Sequence, residues 1–247
     1  MTAVRAAGRV RDRPTQETPK RGGGGFVRFL RDHSLALVAF GAFLLIWLGG
    51  QILTGHRAFN EEQHAHGEPT ISLPEYLTHA EFGEATFENW ESEFLQMGVY
   101  VLLTAWLVQR GSSESKPPGG DPELDADPRD HRDDPEAPWP VRRGGWVLRL
   151  YSHSLGIALL GLFGLAFLGH LITGAHAYSA EQTAHGEPGV SVVGYMLRAQ
   201  FWFESFQNWQ SEFLAVGTLV VLSVYLRQRG SSESKPVHAP HHKTGAD

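Results

Sequence analysis

Two stretches of this 247-residue sequence set histidine and carboxylate side chains at metal-ligand spacing. One is Glu62-Gln63-His64-Ala65-His66-Gly67-Glu68-Pro69; the other is Glu181-Gln182-Thr183-Ala184-His185-Gly186-Glu187-Pro188. Glu62 and His66 stand four residues apart, so one helical turn puts a carboxylate and an imidazole on the same side. With Glu68, and with Glu181, His185 and Glu187 in the second stretch, they form a donor set that suits zinc or another divalent ion. Against a dedicated site, there is no second strong pair such as His-Glu-x-x-His, and His64 is answered by Thr183. The competing reading is a helix end. Gly67 and Gly186 are then caps, Pro69 and Pro188 are stops, and the histidines complement the helix dipole.

A second set lies in apolar surroundings. Glu93 and Glu212 each sit in Asn-Trp-x-Ser-Glu-Phe-Leu, with Asn89 and Asn208 one turn before them. A carboxylate inside a bilayer costs about 2.5–3.5 kcal/mol at the helix centre and less near the edge. Asn89, Glu93, Gln96, Tyr100 and Thr104 step by four, three, four and four, one polar stripe on an otherwise apolar helix. Such a stripe faces a bundle interior and suits a proton or ion path. In the second copy the line reads Asn208, Glu212, Ala215, Leu219 and Ser223, so its inner part is lost. The bland alternative is a pair of glutamates at the membrane interface, hydrogen-bonded or hydrated.

Other chemistries lack their residues. There is no cysteine, hence no thiolate ligand or nucleophile. No Gly-x-Ser-x-Gly, P-loop or dinucleotide fingerprint occurs. His33 and His153, at the starts of apolar segments, lack apposed histidines for a haem, and His170 has only Gly50 or Gln51 at its matching position. The net charge of −6 and the scattered Lys/Arg exclude a phosphate-tracking face, so no nucleic-acid partner is expected.

The elements that must position these groups come in duplicate. His33-Ser34-Leu35 recurs as His153-Ser154-Leu155, and Gln109 to Pro117 recurs unchanged as Gln228 to Pro236. The offset is 120 at the first match and 119 afterwards, so it slips by one residue inside the first apolar segment. Residues 34–54 and 154–173 are charge-free runs long enough for an ~30 Å hydrocarbon core. The later runs, 94–108 and 213–226, reach that length only when extended back to Trp90 and Trp209, giving spans of 90–109 and 209–228. The mean hydropathy of −0.23 conceals these segments behind polar tails.

The expected fold is therefore all-α, with four transmembrane helices arranged as two tandem hairpins, a parallel repeat forming a pseudo-dimer. Of 21 Lys and Arg, eight precede the first span, seven lie between the second and third, four follow the fourth, and each hairpin loop has one. That asymmetry puts both termini and the central linker in the cytoplasm. Unit one covers 26–117 and unit two 146–236. Residues 1–25, 118–145 and 237–247 read as disordered tails and linker. In the outer loop of unit one, Ser72-Leu73-Pro74-Glu75 is a capping box that starts a short helix through about Glu81, and Gly83 marks a kink before a long helix. The outer segments read as interfacial amphipathic helices, with Phe87, Trp90 and Phe94 on one face. Gly41, Gly161 and Gly164 are the small residues expected at helix contacts.

The motif Asn-Trp-[Glu/Gln]-Ser-Glu-Phe-Leu, an apolar span and Gln-Arg-Gly-Ser-Ser-Glu-Ser-Lys-Pro together resemble a family of uncharacterised small bacterial membrane proteins, a domain of unknown function. The resemblance covers 26–117 and 146–236. It implies a bacterial inner-membrane location and carries no activity, cofactor or catalytic residue. Three classes of function follow. The first is a non-enzymatic structural or stress-related membrane protein without cofactor. The second is a small ion or proton transporter or channel using Glu93 and Glu212. The third is a metal-binding module or metal-dependent enzyme using the outer His/Glu motif. The lipid bilayer is the one partner implied, and self-association is left open.

Overall fold

The computed structural model describes residues 25–245. Most of the expected N-terminal tail, 1–24, and the last two residues of the C-terminal one lie outside them. The described chain is helical, with no strand among the described residues. In order come α1 (Gly25–Asp32), α2 (Ser34–Leu44), a π-helical stretch (Leu45–Ile52), α3 (Leu53–Ala65), α4 (Leu73–Tyr76) and α5 (Ala80–Trp106). Then follow α6 (Trp139–Arg143), α7 (Gly145–Ser152), α8 (Ser154–Ala184), α9 (Val192–Met196) and α10 (Ala199–Tyr225). The chain divides into two compact units between Ala58 and Phe59, inside α3.

The first unit contains α1, α2, the π stretch and the start of α3. His33 leaves helical geometry at φ −116°, ψ 15°, and separates α1 from α2. Its Nδ1 donates to the Phe29 carbonyl at 2.9 Å, and its ring stacks on Phe29. From Ser34 to Ala65 the backbone is continuously helical. The π stretch explains the slip in the repeat offset. Ser34 to Thr54 holds one residue more than Ser154 to Thr173, and a π turn is the local form that absorbs one extra residue in an α-helix. The second copy lacks the insertion, and its α8 runs unbroken for 31 residues.

Both helical runs end in the same cap. Gly67 and Gly186 take φ of 77° and 78°, where a side chain would clash. The Glu68 and Glu187 amides donate back to the Gln63 and Gln182 carbonyls at 2.8 and 2.9 Å, the long bond of a Schellman end. In the second unit, Asn60 then clamps Ile71 through two hydrogen bonds, and Ser179 does the same to Val190.

The second unit is organised by α5 lying along α8, its most extensive helix contact, with α10 and α9 completing the packing. The pair is antiparallel. A Cβ built on Gly83 would lie 2.6 Å from Thr173, one on Gly169 2.6 Å from Phe87, and one on Gly98 3.0 Å from Leu160. These glycines, with Gly156 and Gly174, bring the helices together. Gly41, Gly161 and Gly164 do not, since nothing lies within 4 Å of a Cβ placed on any of them. Gly83 likewise does not kink the chain. The short helix closes at Tyr76, His79 starts α5, and the helix passes straight through Gly83, whose missing side chain makes room for Thr173.

The core of this unit is Leu171, Ala175, Tyr195 and Phe201. The Phe201 ring meets those of Phe167, His170 and Tyr195 at 5.3, 4.9 and 5.5 Å. The short helix α9 thus drives Tyr195 into the bundle.

The helices α5 and α10 end at Trp106 and Tyr225, a few residues before the predicted limits, because Leu107 and Leu226 are extended. The duplicated Gln-Arg-Gly-Ser-Ser-Glu-Ser-Lys-Pro then folds the same way twice. Ser115 Oγ accepts from the Gln109 amide at 2.9 Å, and Ser234 Oγ from the Gln228 amide at 2.9 Å. The two lysines diverge. Lys116 pairs with Asp125 at 2.7 Å, whereas Lys235 is buried and donates to the carbonyls of Gly111, His241 and Lys243. Residues 236–245 are thereby held against Gly111 and Ser112, with Thr244 Oγ1 accepting the Gly111 amide at 2.8 Å.

Two described helical runs are long and apolar enough to cross a membrane, Ser34–Ala65 and Ser154–Ala184. Only 6% and 22% of their most apolar windows are buried. A soluble protein's core helix is covered by protein, and these are not. α5 and α10, at 27 residues each, have comparable length but carry carboxylates in their first halves.

Candidate functional site

Five ionisable side chains from three helices converge where α5, α8 and α10 pack. Glu84, Glu88 and Glu91 are at i, i+4 and i+7 of α5, hence on one face. His170 comes from α8 and Glu204 from α10, and Tyr195 of α9 adds its hydroxyl. Gly174 makes the approach feasible, since a Cβ there would lie 2.9 Å from Glu84 Oε1 and 2.8 Å from Tyr195 Cε1.

His170 is the centre of the cluster. Its side chain and that of Glu91 are fully buried. His170 Nδ1 donates to Glu91 Oε2 at 2.8 Å, and Trp209 Nε1 donates to Glu91 Oε1 at 2.9 Å, so both carboxylate oxygens are engaged. Tyr195 Oη donates to Glu204 Oε2 at 2.5 Å and lies 3.4 Å from Glu84 Oε1. Gln200 Nε2 binds the other Glu204 oxygen at 2.6 Å, and Asn208 Nδ2 binds Glu88 Oε1 at 2.5 Å.

One atom is left over. His170 Nε2 is buried and has no hydrogen-bond partner, although Glu204 Oε2 stands 3.4 Å away. With Nδ1 fixed as the donor to Glu91, a neutral imidazole presents a lone pair at Nε2, facing a carboxylate oxygen. Two acceptors face to face require a cation between them, a proton or a metal ion. The charge count asks for the same thing. Four carboxylates surround one imidazole, and among the described residues no Lys or Arg pairs with any of them. One ligand atom each from Glu84, His170 and Glu204 lies within 4.8 Å of the others. Nitrogen and oxygen donors in this number suit zinc, manganese or iron. A carboxylate bonded to the far nitrogen, as Glu91 is to His170, is the arrangement that orients an imidazole wherever one binds a metal.

The residues singled out from the sequence fall mostly elsewhere. Glu62, His66, Glu68, Glu181, His185 and Glu187 are exposed at the two helix ends. His66 and His185 turn Nδ1 to their own helices' Glu62 and Glu181 carbonyls, at 2.9 and 2.8 Å. Asn89 is exposed and binds the Ala85 carbonyl, while Asn208 belongs to the cluster through Glu88. Glu93 is exposed and Glu212 half-buried.

The family model for a domain of unknown function, DUF6766, matches residues 26–246. The chain belongs to that family. The match is one continuous stretch that takes in 118–145 and 237–246, where the sequence resemblance stopped at 117 and 236. No curated protein and no solved structure matches the chain.

Every residue of the cluster lies within the family's matched stretch. At the offset of 119 the cluster positions differ between the copies, as do others such as Glu61, Glu75 and Glu81, which answer to Ala180, Gly194 and Gln200, so the difference alone does not single them out. His170 answers to Gln51, Glu84 to Phe203, Glu88 to Gln207, Glu91 to Gln210, and Glu204 to Ala85. All five ionisable positions are neutral in the partner copy. One of the two equivalent positions is charged and the other is not.

Proposed function

We propose that this protein is a multi-pass membrane protein that binds one divalent metal ion through Glu84, His170 Nε2 and Glu204. The observation that carries the reading is the buried His170 nitrogen, oriented by Glu91 and facing carboxylate without a hydrogen bond. The membrane part rests on the two uncovered apolar helices and on the length of α5 and its antiparallel packing along α8. In this reading α5 and α10 also span, the chain is a tandem pair of hairpins, and the termini lie on the Lys/Arg-rich, cytoplasmic side. An inner-membrane location is part of this reading, and the resemblance to small bacterial membrane proteins supports it.

The test is metal content and Zn²⁺ and Mn²⁺ titration of the full chain in nanodiscs. One equivalent of metal, lost in Glu84→Gln/His170→Gln/Glu204→Gln and retained in His66→Gln/His185→Gln, is the expected result. Binding that survives the first variant and disappears in the second would move the site to the exposed motifs and sink this assignment.

A second reading, ion translocation, is favoured by one observation. Glu93 and Glu212 occupy equivalent positions in the two copies, and farther along α5 Tyr100 Oη donates to Glu114 Oε2 at 3.2 Å. Proton flux in proteoliposomes, abolished in Glu93→Gln/Glu212→Gln, supports it; equal flux in the variant removes it.

A further inference from the structure

Each apolar helical run is preceded by a short amphipathic helix that the metal site does not use. In α1, Phe26, Phe29 and Leu30 fall on one side, and Arg28 and Arg31 on the other, at 100° per residue. No residue of α1 is buried, and Phe26 is 72% exposed. After Asp32 the chain passes through His33 directly into Ser34, so α1 is continuous with the start of the apolar run.

The matching place in the second unit repeats the arrangement with its own residues. Helices α6 and α7 meet at Gly144 and Gly145, whose φ of 71° and 63° turn one onto the other. Val141 and Leu148 are buried. Trp139 and Trp146 remain 59% and 74% exposed. Arginines stand near them in the sequence. Arg143 lies over the Trp139 ring at 5.7 Å, and Arg132 reaches across to the Arg142 carbonyl at 3.3 Å. Arg149 is on α7 itself. Through His153 the chain then enters α8.

From this we infer that α1 and the α6–α7 pair are each a docking surface for anionic phospholipid headgroups, at the bilayer surface where the apolar helix that follows it begins. The inference rests on the membrane reading above. Two features choose the occupant. Exposed indole and phenyl rings at the ends of apolar helices are the groups that settle at the headgroup level. Arginines beside them supply charge opposite to phosphatidylglycerol or phosphatidylserine, and the guanidinium fork matches a phosphodiester. α1 and α7 each lead into the following apolar helix through a single histidine, His33 or His153.

The experiment uses the full chain in vesicles containing brominated phosphatidylglycerol or brominated phosphatidylcholine at equal mole fraction. The signal is the part of the tryptophan fluorescence lost on Trp139→Phe/Trp146→Phe. The expected result is preferential quenching by the brominated anionic lipid. The Arg142→Gln/Arg143→Gln/Arg149→Gln variant should weaken that preference by about an order of magnitude or more. Retained lipid counted by native mass spectrometry gives a second readout, in which Arg28→Gln/Arg31→Gln also lowers bound phosphatidylglycerol. Equal quenching by the two lipids overturns the inference and leaves the membrane reading standing. No quenching by either lipid puts Trp139 and Trp146 away from the bilayer and overturns the inference, and the membrane reading falls only if the remaining tryptophans are unquenched as well.

Discussion

Glu91→Gln is the perturbation that separates a metal site from a merely buried polar cluster. Glu91 touches no metal in the proposed geometry; it accepts from His170 Nδ1 at 2.8 Å and from Trp209 Nε1 at 2.9 Å. Glutamine keeps the volume but offers one oxygen and one amide nitrogen. Two donors therefore compete for one acceptor, and the loser faces an NH₂ in a fully buried place. An orphaned buried donor costs about 1–3 kcal/mol, and the surviving bond drops from charge-assisted to neutral. Imidazole orientation and basicity fall together, so affinity for Zn²⁺ should drop about 10–100-fold. The assay is a competitive-chelator titration of the full chain in nanodiscs, with linker variant Glu123→Gln as reference. Affinity within twofold of the wild type would refute the reasoning. It would mean that His170 Nε2 does not depend on the carboxylate behind it, and the cluster would then be a proton-holding core rather than a metal centre.

Three further outcomes are expected. Gly169→Ala places a Cβ 2.6 Å from the Phe87 ring and should destabilise by about 1–3 kcal/mol, whereas Gly161→Ala, with open space around it, should be neutral or slightly stabilising; thermal unfolding in detergent compares them. Lys235→Met removes the donor shared by the Gly111, His241 and Lys243 carbonyls and should expose residues 236–245 to limited proteolysis, while Lys116→Met, whose partner Asp125 is exposed, should leave the cleavage pattern unchanged. Deleting Gly49 restores the residue count of the second copy and should convert Leu45–Ile52 from π to α geometry, read as slower amide exchange across that stretch; unchanged exchange would detach the π turn from the insertion.

By itself the sequence determined what depends on neighbours along the chain. All-helical structure, the capped ends at Gly67 and Gly186, the Ser72 helix start and the two apolar runs follow from local spacing and residue type. The one-residue slip between copies falls in the same apolar segment as the π stretch, which the spacing alone did not name. What only the tertiary structure decided is which faces meet. Glu84, Glu88 and Glu91 read as an ordinary acidic face, and His170 as a histidine without a counterpart. Nothing along the chain says that α5 of one copy lies antiparallel on α8 of the other, with Gly169 and Gly174 letting it close in. Helix pairing is settled by side-chain shape across contacts nearly 80 residues apart, such as Glu91 to His170. The glycines that matter are those with a neighbour pressed against them, and no local pattern distinguishes Gly169 from Gly161.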